Sequence, residues 1–114
     1  MANPGGASVP QLTPGHPVQM LREAIKHVKS LPRDVAQRAD AFEALASQIE
    51  RHSSGAWKAS RGTGTDGSEI FLGRQGESLV VAPDGRIYRG ALGKGIDVAP
   101  DGLRPNYASL NPLD

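Results

Sequence analysis

The sequence predicts an α+β fold: an N-terminal helical hairpin packed on a small antiparallel β-meander of three to five strands, behind a disordered Pro/Gly-rich leader. Three observations predict it. Apolar residues recur at steps of three and four between positions 17 and 53, the period of an amphipathic helix. Short β-prone runs bounded by Gly, Pro and Asp follow between 56 and 99. Before both, residues 1–16 scatter Pro4, Gly5, Gly6, Pro10, Pro14 and Gly15 with no period, the composition of a leader or linker. The expected domain is therefore 17–114.

The first helix is predicted over 17–30. Pro17 suits its first position, and Val18, Leu21, Ile25 and Val28 form one stripe. Lys26 and Lys29 lie near its negative end, and Pro32 disfavours helix at Leu31. The second helix is predicted over 33–53. Val35, Ala39, Phe42, Ala46 and Ile49 make its stripe, with Asp34 at its positive end and Ser53-Ser54-Gly55 as its stop. Trp57, just beyond, reads as a core anchor between the layers.

Strands are then expected in AWKASRG, SEIFLGR, ESLVVA, RIYRGAL and IDVA, with turns at GTGTDG, QG, PDG and GKG. The pentapeptide VAPDG occurs at 81–85 and again at 98–102. Pro, Asp and Gly are the residues of a hairpin loop built on a type I turn with a left-handed closing residue. The first copy reads as a hairpin corner. After the second, Pro105 argues against a return strand, so 103–114 reads as an irregular tail; in a weaker third reading, the chain is a structural piece of a larger assembly and this tail orders on contact with a neighbour.

Composition excludes whole classes of function. The 114 residues contain no Cys, which removes disulfides, thiolate metal sites and a Cys nucleophile. Thirteen basic and twelve acidic residues leave a net charge of +1, which gives no bulk attraction to nucleic acid or membrane. No apolar run has the length of a membrane span, and the N-terminus lacks the basic and apolar regions of a classical signal peptide. The expectation is a soluble chain, cytoplasmic by default, with no membrane partner. His16, His27 and His52 lack metal-ligand spacing, GTGTDGSE is neither a P-loop nor an EF-hand, and GALGKG lacks the P-loop glycine and its Ser/Thr. No cofactor and no metal is expected.

Two functions compete. The preferred one is a small non-enzymatic protein-interaction module. Its partner is another protein, or a second copy held through the helical hairpin by Met20 and Leu31, which fall off or at the end of the main stripe. The alternative rests on strand alternation. If Ile87 faces the helices, Arg86 and Tyr88 share an open sheet face, with Glu69, Arg74 and Arg89 as neighbours. A cation, a carboxylate and a Tyr can cleave RNA without metal, the base taking the 2′-hydroxyl proton and the cations stabilising the phosphorane. The order of elements is broadly similar to that of small ribonuclease-type toxin domains at the C-termini of bacterial secreted proteins. The likeness covers element order, and it implies an RNA substrate.

Overall fold

A computed structural model describes residues 9–74, 76–91 and 94–114. Gln75, Leu92 and Gly93, at the predicted turns and the end of one predicted strand, lie outside the described residues, as do the first eight. The chain runs α1 (Pro17–Lys29), α2 (Val35–His52), β1 (Ala59–Thr63), β2 (Glu69–Gly73), β3 (Ser78–Val81), β4 (Ile87–Gly90), β5 (Ile96–Ala99), β6 (Gly102–Pro105), a 3₁₀ turn (Tyr107–Ser109) and β7 (Asn111–Pro112). This is the expected α+β fold.

Local chemistry sets the helix ends. Pro17 opens α1, and His16 caps it by accepting the Val18 N–H on Nδ1 at 3.2 Å. Asp34 caps α2 by accepting the Gln37 N–H at 2.8 Å. Past α2 the backbone turns through positive φ at Ser54 and Gly55. The buried stripe of α1 is Met20, Leu21, Ala24, Ile25 and Val28, and Val18 is 42% exposed. The predicted stripe is thus rotated by a residue or two: Met20 lies in the core and Leu31 packs against it. Neither supplies the exposed dimer contact that their positions suggested.

Five strands form one sheet in the order β1-β2-β3-β4-β7, and β5 and β6 form a separate hairpin. The β2–β3 and β3–β4 registers place Phe71 opposite Leu79 and Val81 opposite Ile87, so these side chains share a face. That face meets the helices. Phe42 of α2 packs edge-on against Phe71 with ring centroids 4.8 Å apart, and Trp57 joins the same core. The opposite face carries Ile70, Val80 and Tyr88. It is covered by Leu110, Ile96, Leu103 and Tyr107, which form a second, smaller core.

Two expectations need correcting here. Residues 9–16 are no free leader. Leu12 is buried in the main core, its N–H bonds Gln48 Oε1 at 2.8 Å, and Gln48 Nε2 bonds the Pro10 carbonyl at 2.8 Å. Leu12 and the partly buried Val9, a reciprocal amide clamp with Gln48 and the Thr13 N–H bonded to Glu23 at 3.2 Å hold this segment on the helices. The expected irregular tail likewise folds onto the sheet. β6 pairs with β5 along its length, with Pro105 opposite Ile96. Proline is tolerated because it ends an edge strand, and the next residue resumes bonding, Asn106 N–H to Gly95 O at 2.7 Å. β7 then pairs with β4. Strands therefore extend well beyond residue 99.

The two PDG turns also differ. Gly85 closes the first with φ +87°, its N–H bonded to Ala82 O at 2.8 Å. It also lies against the α1–α2 connection, so closely that a Cβ there would stand 2.4 Å from the Arg33 carbonyl carbon. Gly102, at φ +135°, has only the Thr65 methyl nearby, at 3.5 Å.

Candidate functional site

The sheet face that carries Tyr88 is covered over Ile70 and Val80 and is open at Leu72 and Ser60, which are not among the ribonuclease residues, so those residues share no open polar face. Glu69 lies on the helix-facing side, its Oε1 2.8 Å from Arg61 Nε. Arg74 follows β2 and donates to the Gly55 carbonyl at 3.0 Å. Arg86 lies at the first PDG turn, exposed, 3.6 Å from Asp84. Tyr88 points to the opposite face, where it packs on Tyr107. Arg89 faces the helices and lines a cavity of ≈ 20 Å³ with Trp57, Leu79 and Glu77. That volume is about one water, too small for a substrate. Of the five residues, the structure brings no three into one cleft.

Three other polar constellations emerge. The first is Arg38, 2% exposed, which lies under the first PDG turn. Its Nε donates to Pro32 O at 3.1 Å, its Nη2 to Lys29 O at 3.1 Å and Leu31 O at 2.9 Å, and its Nη1 to Gly85 O at 2.8 Å. Nη1 also pairs with Asp114 Oδ2. All five guanidinium donors are thereby satisfied. Asp114 Oδ1 in turn accepts the Ile87 N–H at 2.8 Å. Burial pushes the Asp114 carboxyl up, yet the Ile87 N–H and the Arg38 and Arg33 charges hold it, on balance, below the ordinary carboxylate value. This clamp has every donor engaged, so it is structural.

The second is Arg61 on β1. It contacts Glu69 at 2.8 Å, Asp40 at 2.9 Å and Glu43 at 2.7 Å, and lies 5.8 Å from the Phe71 ring centroid. Partial burial disfavours its charge, but the three carboxylates outweigh that and raise its affinity for the proton. It ties α2 to the sheet.

The third has unused capacity. Asp66, in the Gly/Thr loop between β1 and β2, accepts the Ser68 N–H at 3.0 Å and the Ser68 hydroxyl on Oδ1. Its Oδ2 accepts the Tyr107 hydroxyl at 2.6 Å. Tyr107 lies against Tyr88, ring centroids 4.9 Å apart and planes tilted by 60°. With Ala82, Pro83 and Asp84 these residues line an open cleft of ≈ 290 Å³. Burial pushes the Asp66 carboxyl up, but the Ser68 and Tyr107 hydrogen bonds hold it net below the ordinary value. Burial and the neighbouring Asp66 push the Tyr107 phenol up, so it stays protonated and remains a donor. The loop is fixed against β6 by Thr65 N–H to Leu103 O at 2.8 Å. Directly opposite Leu103 stands Val98, 86% exposed.

Tyr88 and the neighbourhood of Arg86 were legible in the sequence as places to look. Tyr107 was not, because the Pro105 argument assigned it to an unstructured tail. Its signal lay in the spacing of Leu103, Tyr107 and Leu110, which together cover Ile70 and Val80. Among the described residues no group of three or more His, Asp or Glu is placed to hold a metal ion. No helix there is long and apolar enough to cross a membrane. Compared with known proteins, the chain gives no significant match to a family model, a curated protein or a solved structure.

Proposed function

We propose that the chain is a small protein-binding module whose contact surface is the Tyr88–Tyr107 cleft together with the β5–β6 hairpin. The observation that supports this best is Val98. A valine 86% exposed, on a hairpin that among the described residues has no further strand at either edge, is an apolar group placed in water. The other strand of that hairpin is bonded to the loop carrying Asp66, through Thr65 N–H to Leu103 O at 2.8 Å, and Asp66 lines a cleft walled by two tyrosines. Tyr is enriched at the centres of protein interfaces, and the cleft presents two, both partly exposed. The ribonuclease alternative needs Glu69, Arg74, Arg86, Tyr88 and Arg89 around one scissile phosphate, and their separation over three surfaces leaves it without support.

The test is affinity capture on the immobilised chain from its native host, with Val98→Asp as the paired bait. The expected result is a protein retained by the wild type and lost with Val98→Asp, while Arg51→Glu, at the far end of α2, retains it. An identical retained set for wild type and Val98→Asp would overturn this assignment of the surface.

A further inference from the structure

We infer that the Tyr88–Tyr107 cleft receives a cationic side chain, a lysine or arginine of the bound partner; this rests on the protein-binding reading above. The lining supplies two carboxylates, Asp66 and Asp84, and two tyrosine rings, and no basic side chain. Asp84 has a cation, Arg86, at 3.6 Å, with both side chains at least half exposed, so that pair is heavily screened. Asp66 has no ion pair among the described residues, although its carboxyl titrates below the ordinary range and is therefore charged at neutral pH. Its hydrogen bonds come from neutral donors, Ser68 and Tyr107.

The aromatic geometry points to the same ligand. The two rings pack on each other with centroids 4.9 Å apart and planes tilted by 60°, and the face of an aromatic ring carries negative quadrupole charge. The Tyr107 hydroxyl donates to a carboxylate, which makes that ring more electron-rich. A cation laid over the rings gains the ring attraction and the Asp66 charge together. An acidic side chain would meet two carboxylates, and an apolar one would cover Asp66 without compensating it. The cleft, at ≈ 290 Å³, has room for one long side chain.

The test is an amide-shift titration of the full ¹⁵N-labelled chain with Nα-acetyl-lysine methylamide, and with the glutamine equivalent as neutral control. The expected result is saturable shifts at Asp66, Tyr88 and Tyr107 with the lysine probe alone, weakened by added salt. Asp66→Asn and Tyr88→Leu should each weaken it roughly tenfold; unchanged amide spectra elsewhere would show that the variants remain folded. Equal shifts from lysine and glutamine probes, no shifts from either, or full affinity in Asp66→Asn would overturn the inference. Val98→Asp separates the two ideas. Partner capture lost in that variant, with a wild-type chain that ignores the lysine probe, keeps the binding module and removes the cation site. Lysine binding that persists while Val98→Asp captures partners normally keeps the cation site and removes the hairpin interface.

Discussion

Arg38 and Asp114, 76 residues apart in sequence, form an ion pair beneath the first PDG turn, and through it the α1–α2 connection, the β3–β4 hairpin and β7 are held at one point. Removing the guanidinium leaves the Gly85 and Leu31 carbonyls without this donor and strips Asp114 of its nearest cation, leaving it the Ile87 N–H and the more distant Arg33. Arg38→Met should cost about 3–5 kcal/mol, the range for breaking a buried pair from one side. Arg38→Lys should recover only a small part, since an ammonium cannot reach carbonyls spread over a planar fork. Urea unfolding of the two variants measures both.

The repeated pentapeptide hides two different glycines. Alanine at Gly102 meets a strained φ but only ordinary contact with the Thr65 methyl, and should cost about 1–3 kcal/mol. Alanine at Gly85 adds a collision with the Arg33–Asp34 backbone and prises the hairpin from the α1–α2 connection. Its cost should exceed about 4 kcal/mol, the range of exceptional single substitutions. Thermal unfolding of both variants decides it, and equal losses would mean that the first turn does not dock as described.

Leu12 anchors a segment whose composition suggests disorder. Leu12→Ala should cost about 2–4 kcal/mol, as for other buried leucines, and Gln48→Ala should lose a further part by releasing the Leu12 N–H and the Pro10 carbonyl. Protection of the Leu12 amide from hydrogen exchange should fall in both variants.

Stability should fall in acid for a nameable reason. Asp66 and Asp114 both titrate below 3.8 in the folded chain, so the unfolded chain binds protons first as the pH drops. Their contribution is complete above the unfolded value and is lost as pH falls through the folded ones. Asp114→Asn should lower stability at neutral pH and flatten the decline as the pH falls through and below the ordinary carboxylate range, as followed by denaturant midpoints in acid.

What the sequence revealed follows from which forces are local. The two helix spans, Pro17, Asp34, the first PDG turn and the IDVA strand at 96–99 depend on near neighbours and appear where expected, the buried stripe of α1 being shifted by a residue or two. Long-range satisfaction is different. Arg38 looks like a solvated helix position until acceptors from residues 29–32, 85 and 114 converge on it. Tyr107 becomes a site residue only because the Gly/Thr loop delivers Asp66 to its hydroxyl across 41 positions. Pro105 carries a real local penalty, but on an edge strand that penalty has nothing to break. The open sheet face failed for a related reason: alternation gives the side of Tyr88 correctly, and says nothing of what folds back over it.

Arg61 offers a final check on how the helices hold the sheet. Its three acidic partners differ in exposure: the Glu69 side chain is 15% exposed, Asp40 40% and Glu43 58%. Coulomb attraction weakens as solvent screens the pair, so the couplings should rank in that order. Double-mutant cycles should give about 1–2 kcal/mol for Arg61 with Glu69 and about 0.5 kcal/mol or less for Arg61 with Glu43. The Glu69 coupling should survive added salt, and the Glu43 coupling should fade. Arg61→Met alone should cost more than either coupling, because it leaves three carboxylates facing one another at the α2–β1–β2 junction with no cation between them. If the two cycles gave equal couplings, Arg61 would be an ordinary surface charge and the junction would rest on Phe42 and Phe71 alone.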